Sequence, residues 1–479
     1  MTLSVRFALL PLLALAGCSL APHFARPEVA SSGAWKPVDG WQPANPSDQA
    51  PRADWWSGFG DATLDELIVR AHAHNQTIAQ AAATYRQARA TTREARASLF
   101  PTVSATGSVT HSESGGSRTI VTNGVASNGG GSAQTSYSAA LSGSWQPDLF
   151  GQITNTVNNA RATEQARRAD LASAQLAIDG ELATDYLALR ASDAQIASLA
   201  ATVTAYQRSL TIATNRYNAG IAPHSDVFQG QSQLATARSD LEGQKRTRAQ
   251  FEDAIATLVG ENAAAFALPA AANWTPATPT VPVAVPSTLL ERRPDIASAE
   301  RQVAAANAQI GVERAAFFPV LNLSGNGGFN NNTLSGLFSS AASLWSVGAS
   351  LAQTIFDAGA RRARVAAARA FYDQAVANYR QVTLTAFQDV QDNLAATAIL
   401  ARQEALLREA SIAADRSEAS VRFQYQSGIV VFTDVVSAQA TALSARRALI
   451  QIQSDRQTTA VALIQALGGG WQDDVVARP

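Results

Sequence analysis

The chain has 479 residues and a net charge of −1, from 37 basic and 38 acidic side chains, so it carries no electrostatic footprint for nucleic acid and no acidic tail. Charged residues make up 16% and apolar residues 46%, with mean hydropathy near zero, which allows a large buried surface and excludes a bundle of membrane helices. The single cysteine, Cys18, excludes internal disulfides and cysteine-based metal clusters.

Residues 1–17 read as a signal peptide: Arg6 precedes the apolar run Phe7 to Ala16, too short to span a bilayer. The run ends in Leu15, Ala16, Gly17, Cys18, which resembles a bacterial lipobox, with cleavage before Cys18 leaving it as the lipidation site. The alternative is an ordinary cleaved signal with an incidental cysteine; the placement of the only Cys at this spacing favours the lipobox. Two or more acyl chains give durable membrane attachment. Ser19, not Asp, follows the cysteine, which points to the outer membrane and its lipid. Residues 18–62 then form a lipidated N-terminal segment.

The first structural repeat is expected over 63–262. Leu64 to Ser98 is proline-free and rich in Ala, Gln and Arg, a single helix stopped by Pro101. Two segments of period two follow, Thr102 to Thr110 and Ser136 to Trp145, with Val103, Val109, Tyr137, Leu141 and Trp145 on one face and small or hydroxylated residues on the other. Ser112 to Ala133, rich in Gly, Ser and Asn, reads as the loop between them. Asn155 to Asn218 lies in a long proline-free stretch and reads as one helix about 100 Å long. Its apolar residues recur every seven positions, at Leu182, Leu189, Ile196, Val203, Leu210 and Tyr217, the pattern of a left-handed coiled coil. A turn and a second short helix, Ser225 to Val259, end the repeat; that helix equals Leu64 to Ser98 in length, so two short helices stacked end to end match one long helix.

A Pro-rich linker occupies 263–286, and a second repeat spans 287–468. Leu99, Phe100, Pro101 recurs as Phe317, Phe318, Pro319; Tyr217 through Val227 recurs as Tyr425 through Val435; Gln231 matches Gln439. Matched Pro, Tyr, Gly and Asp in the same order indicate duplication, where an Ala-rich chain aligning with itself would match only alanines. The second repeat adds strands around Leu321 to Asn326 and Trp345 to Ala352, a loop from Asn330 to Ser343, and a long helix from Ala360 to Ser427 with Leu400, Leu407, Ala414 and Val421 at spacing seven. Residues 469–479 form a C-terminal tail. This tail, the linker and the N-terminal stretch are expected to make an irregular collar around the middle of the helices.

The uncharged alternation of all four strands and the lipobox upstream favour a membrane barrel wall over a half-buried soluble sheet. Four strands leave two open edges, and unpaired backbone groups in hydrocarbon cost several kcal/mol each. Small barrels have about eight strands. The chain is therefore expected to share its barrel with copies of itself. The expected fold class is α+β, a membrane β-barrel of four strands per chain, completed as eight strands in a dimer or twelve in a trimer, continuing into a long α-helical coiled coil; the resemblance below implies the trimer and its helical tunnel.

Asp54, Trp55, Trp56, Ser57, Gly58, Phe59, Gly60 and Asp61, with Leu64 and Asn75, then Arg292, Arg293, Pro294, Asp295 and Ala315 to Pro319, together resemble the NodT-type branch of the outer membrane factor family, relatives of TolC and OprM. Asp148 to Gly151 and Leu467 to Trp471 add to the likeness, which covers nearly the whole mature chain. The resemblance implies a homotrimeric outer-membrane channel extending into the periplasm, an exit duct for an efflux pump of the resistance-nodulation-division (RND) type. It implies a periplasmic adaptor, or membrane fusion protein, and an inner-membrane RND pump as partners.

The same resemblance locates a periplasmic gate at Asp434, Asp226 and Tyr425. Asp434 matches a ring aspartate, while Ser437 stands where TolC has a second one. Tyr425 and Asp226 match a linked pair of the closed aperture, but Val430 occupies the position of that gate's arginine. The alternative for both aspartates is that they cap the next helix. Gly220 and Gly428 suit the left-handed residue that ends a helix, giving tip turns for adaptor contact.

No enzyme signature and no cofactor site is found. Of the five histidines only His72 and His74 are close, and that spacing on a helix separates their faces, so no metal site is expected. Arg361, Arg362 and Arg364 read as a solvated face near the membrane boundary. Alternatives to the drug-efflux duct are an exit duct for type I secretion or metal efflux, and a non-channel structural surface lipoprotein.

Overall fold

The computed structural model describes residues 19–29, 35–36, 54–113, 118–122, 125–129, 133–271, 274–279 and 293–469. The signal peptide, Cys18, residues 272–273 and 280–286 of the Pro-rich linker and all but the start of the C-terminal tail lie outside the described residues. In chain order the elements are α1 (Ala62–His74), α2 (Gln76–Ala97), β1 (Thr102–Glu113), β2 (Arg118–Thr122), β3 (Val125–Gly129), β4 (Ala133–Trp145), α3 (Gln152–Asn218) and α4 (His224–Leu258). They continue with α5 (Pro294–Ala315), β5 (Val320–Asn331), β6 (Ser343–Ala352), α6 (Ala360–Gln426) and α7 (Phe432–Ala466). The chain divides into two compact units.

The first unit carries the sheet, ordered β1-β4-β5-β6 and antiparallel throughout. Its register sets Ala105 opposite Leu141, Val109 opposite Tyr137, Trp145 opposite Leu323 and Gly327 opposite Trp345, so the apolar residues of all four strands share one face. The other face is hydroxylated: Ser104 Oγ meets Ser142 Oγ at 2.7 Å and Ser108 Oγ meets Ser138 Oγ at 2.8 Å. Among the described residues both edges of this sheet, β1 and β6, are open. The loop expected at 112–133 is instead built largely from strand: β1 and β4 extend into it, and β2 and β3 form a separate antiparallel pair. Ser19 Oγ donates to Asn155 Oδ1 at 2.8 Å, Asn307 donates to Pro22 O at 2.8 Å and Arg314 to Leu20 O at 3.3 Å, fixing the stretch after Cys18 against α3 and α5.

The second unit contains the main core. Trp55, Trp56, Phe59, Leu64, Leu67 and Ile68 pack on Leu182, Tyr186, Leu189, Ile255 and Val461. A fully buried Leu, Ile or Val side chain contributes about 1.5–3 kcal/mol, and Leu64, Ile68, Leu182, Leu189, Ile255 and Val461 are all 0% exposed. Polar bonds lock the periphery: Tyr186 Oη donates to Asp61 Oδ2 at 2.6 Å, and Arg190 Nε donates to Tyr186 Oη at 2.9 Å. Asp193 accepts from Arg190, Arg248 and the Ala271 amide, which holds the start of the linker. His72, half-exposed, lies 2.6 Å from Asp179, whose carboxyl is raised by burial.

The single helix expected over Leu64 to Ser98 is interrupted. Asn75 adopts an extended backbone with ψ 127°, its Oδ1 accepts from the Thr77 and Ile78 amides, and its Nδ2 donates to Leu258 O at 2.8 Å. The side chain ends α1, caps α2 and ties the break to the end of α4. The long helices keep their expected course. Alongside the apolar positions at spacing seven, a second line is buried: Ser192, Leu199, Tyr206 and Ala213 on α3, and Glu404, Ser411, Glu418 and Tyr425 on α6. Glu404 accepts from Arg456 and Gln453, and Glu418 from Arg446 Nη2 at 2.8 Å, so charged pairs from α7 serve part of this seam.

Candidate functional site

The candidate site is the pair of helix–turn–helix tips in the second unit, where α3 turns into α4 and α6 into α7. Both long helices end on a glycine in the left-handed region, Gly220 at φ 73° and Gly428 at φ 77°. In each case the next amide reaches back five residues, Ile221 N to Arg216 O at 3.0 Å and Ile429 N to Gln424 O at 2.9 Å. This closes orphan carbonyls of the last turn, and a Cβ would make the backbone strained at either glycine. Pro223 and Val431 then stand as N-caps of α4 and α7, neither making a side-chain cap bond.

The two tips share a small core of Ala213, Tyr425, Phe432 and Val435, with the Tyr425 and Phe432 rings 5.3 Å apart. Outside it, Ile221, Phe228, Ile429 and Val431 are more than half exposed. His224 stacks on Tyr217 at 4.5 Å between ring centres and lies 4.3 Å from Phe228.

Asp226 and Asp434 sit in the first turns of α4 and α7. Neither is the capping residue, so the capping alternative is not what the structure contains; both still lie at helix N-termini, where negative charge is favoured. Asp434 is exposed and makes no side-chain hydrogen bond or ion pair among the described residues. Asp226 is half-buried, its carboxyl raised by desolvation against the opposing pull of Arg216. Tyr425 is 4% exposed, and burial and then the charge of Asp226 raise its hydroxyl. Asp226 and Tyr425 are therefore neighbours, yet Tyr425 Oη has no hydrogen-bond partner among the described residues.

The residue that sequence reasoning missed is Arg216. Its Nη1 donates to Tyr425 O at 2.9 Å and its guanidinium lies 4.7 Å over the Tyr425 ring, so the first tip grips the second. Its Nε is buried and unpartnered among the described residues. The available signal was an asymmetry of the duplication: the residue before Tyr217 is Arg216, whereas the residue before Tyr425 is Gln424. Cys18, the expected lipidation site, lies outside the described residues.

An apolar-faced sheet with open edges, carried by a chain with paired helical hairpins, has known counterparts. The antibiotic efflux pump outer membrane protein ArpC of Pseudomonas putida is 32% identical over 465 residues, covering 96% of this chain and 94% of that one. The toluene efflux pump outer membrane protein TtgC, also of Pseudomonas putida, is likewise 32% identical over 465 residues, with the same coverage. The solved outer-membrane channel OprN superposes with a TM-score of 0.85 at 28% identity, covering 95% of this chain and 100% of that one. Residues 67–261 and 285–469, which span both repeats, match the family described as outer membrane efflux protein, and the chain belongs to that family.

Proposed function

We propose that this outer-membrane exit duct of an efflux pump closes as a homotrimer, is anchored by lipid on Cys18, and is gated at its periplasmic tip. The observation that carries the reading is the four-stranded sheet with one apolar face and two open edges. Such a wall is stable in hydrocarbon only when further copies complete the cylinder. Three chains give about twelve strands, within the range of known barrels. The lipid anchor is supported by the bonds that hold Ser19 to Asn155 and Leu20 and Pro22 to α5, in the unit that bears the sheet.

In the gate, Asp434 contributes one exposed carboxylate per subunit, and convergence of several on an axis would attract cations. The charge of Asp226 acts on Tyr425, and Arg216 grips the Tyr425 carbonyl, so these three side chains make up the movable part of the gate. The exposed Ile221 and Ile429 next to Gly220 and Gly428 present apolar turns to a periplasmic adaptor, which connects the duct to an inner-membrane RND pump. Conduction is passive, with energy supplied by that pump. The relatives named for antibiotic and toluene efflux support small amphiphilic and apolar molecules as cargo.

The test is conductance of the purified protein in planar bilayers combined with mass determination of the complex. Channel events from a three-chain complex, altered by Asp434→Ala, are expected. A monomer that retains the sheet and shows no openings would overturn the reading.

A further inference from the structure

Four arginines of α2, Arg86, Arg89, Arg93 and Arg96, recur at spacings of three, four and three, which puts them on one face of the helix. All four are exposed and make no side-chain hydrogen bond or ion pair among the described residues. Glu94, the one acidic residue of α2, stands at neither three- nor four-residue spacing from any of them. Like charges at these spacings repel and weaken a helix, and the macrodipole favours cations only in the last turn. The fold of α2 therefore does not call for this stripe.

The duplication gives its direction. α2 and β1 match α5 and β5 at a constant offset: Ala97 falls on Ala315, and Thr102–Glu113 falls on Val320–Asn331 end to end. The stripe then falls on Ala304, Asn307, Gly311 and Arg314. That face of α5 carries the stretch after Cys18. Asn307 Nδ2 donates to Pro22 O at 2.8 Å, Arg314 Nη1 donates to Leu20 O at 3.3 Å, and a Cβ on Gly311 would stand 2.8 Å from Ala21 Cβ. A stretch leading away from acyl chains in the bilayer runs outside the cylinder, so this face of α5 looks outward, and by the repeat so does the arginine face of α2. Packing agrees. Thr92, 2% exposed, donates to Ala160 O of α3 at 3.2 Å, and the stripe centres about a quarter-turn round α2 from it. A copy that continues the wall past β1 meets the side opposite α3, again about a quarter-turn from the stripe.

We propose that Arg93 and Arg96 bind the phosphodiester headgroups of anionic phospholipid in the periplasmic leaflet, with Arg89 at the margin and Arg86 beyond it. The site rests on the sheet being the membrane wall and on Cys18 being its lipid anchor. The anchor sets the depth. Leu20 and Pro22 follow Cys18 by about 7 and 14 Å of extended chain at most, so the level of Arg314, and with it Arg96, lies nearer the headgroups than the level of Asn307 and Arg89. Arg86 is about 15 Å further along α2 than Arg96, while the headgroup layer is only about 5–7 Å deep. Guanidinium groups match phosphate oxygens in a two-point geometry, and each arginine near an anionic surface adds roughly five-fold in affinity.

The probe is short-chain phosphatidylglycerol added to the full-length protein in detergent, whose belt holds the lipid at the level of the sheet. Phosphatidylcholine and inorganic phosphate serve as parallel arms, and native mass spectrometry reads the bound species. Phosphatidylglycerol is expected to bind more tightly than phosphatidylcholine, and less tightly as salt rises. Arg93→Gln and Arg96→Gln should each weaken it about five-fold, Arg89→Gln less, and Arg86→Gln under about two-fold, with phosphatidylcholine unchanged throughout. The Arg93→Lys, Arg96→Lys pair should keep most of the salt-dependent binding. Equal binding of the two lipids, unchanged phosphatidylglycerol binding in Arg96→Gln, an equal loss in Arg86→Gln and Arg96→Gln, or equal occupancy by inorganic phosphate would each overturn the proposal. Channel conductance is a separate readout, so failure here leaves the duct itself intact.

Discussion

Removing the Arg216 side chain should loosen the tip without unfolding it. Arg216→Ala deletes one charge-assisted bond to Tyr425 O at 2.9 Å and one cation–π contact at 4.7 Å. A hydrogen bond to a charged group contributes about 1.5–3 kcal/mol, and a partly exposed cation–π contact about 0.5–1 kcal/mol. The carbonyl of Tyr425 also accepts from the Gly428 amide at 3.0 Å, so it keeps a partner and the loss falls toward the low end. The net is about 2 kcal/mol, or roughly a thirty-fold shift in the equilibrium between tips held together and tips apart. Single-channel recording in planar bilayers measures this as the ratio of open to closed dwell time. Arg216→Ala should raise that ratio toward thirty-fold, Arg216→Lys less so because it keeps charge but loses the planar stacking, and Arg208→Ala, an exposed position on the same helix, should leave it alone. Identical open probabilities in Arg216→Ala and the parent protein would refute the assignment of Arg216 as the grip between the tips.

Asp185 has a carboxyl raised to about 6 by burial and by the neighbouring charge of Glu181. Its folded value exceeds the unfolded one, so its contribution is fully present below about pH 4 and is lost as pH rises through about 6; Asp185→Asn should raise the melting temperature at pH 7.5 and lose that advantage near pH 4. Gly428→Ala should cost about 1–2 kcal/mol for a left-handed alanine, since nothing lies within 4 Å of the new Cβ, as read by urea unfolding. Gly260→Ala should cost clearly more in the same assay, because its Cβ would fall 2.5 Å from His74 O at φ 75°. Cys18→Ser should abolish incorporation of labelled palmitate while the protein stays in the membrane fraction after carbonate extraction, because the sheet still spans the bilayer; continued labelling would reject Cys18 as the acylated residue.

Much of the fold was legible because its signals are local and repeated. Alternation marks β1, β4, β5 and β6 within a few residues, and the proline-free stretches yield α3 and α6 nearly end to end. The tips were legible through the duplicated Tyr, Gly and Asp. What escaped depends on bonds to distant residues. Asn75 breaks a helix whose composition favours continuity because its side chain is claimed by Leu258 O, far along the chain. The second seam line of α6 was invisible to an apolar count because Glu404 and Glu418 occupy it, each matched by a basic residue of α7. Residues 118–129 are rich in Gly, Ser and Asn and read as loop, yet Arg118 to Thr122 and Val125 to Gly129 satisfy each other as a ladder. In the tip the glycines and aspartates were readable, while Arg216 was not, because an arginine at a helix end is ordinary until a ring is found beneath it.

The bare rims of β1 and β6 also bear on heredity. In the homotrimer proposed above, a polypeptide that cannot finish its own ring is finished by copies of itself, so a cell making intact and rim-damaged versions together would build many mixed rings. Lesions in those two strands that leave pairing possible should accordingly behave as dominant, poisoning the healthy allele's product, whereas lesions that abolish pairing should exclude the damaged chain and behave as recessive.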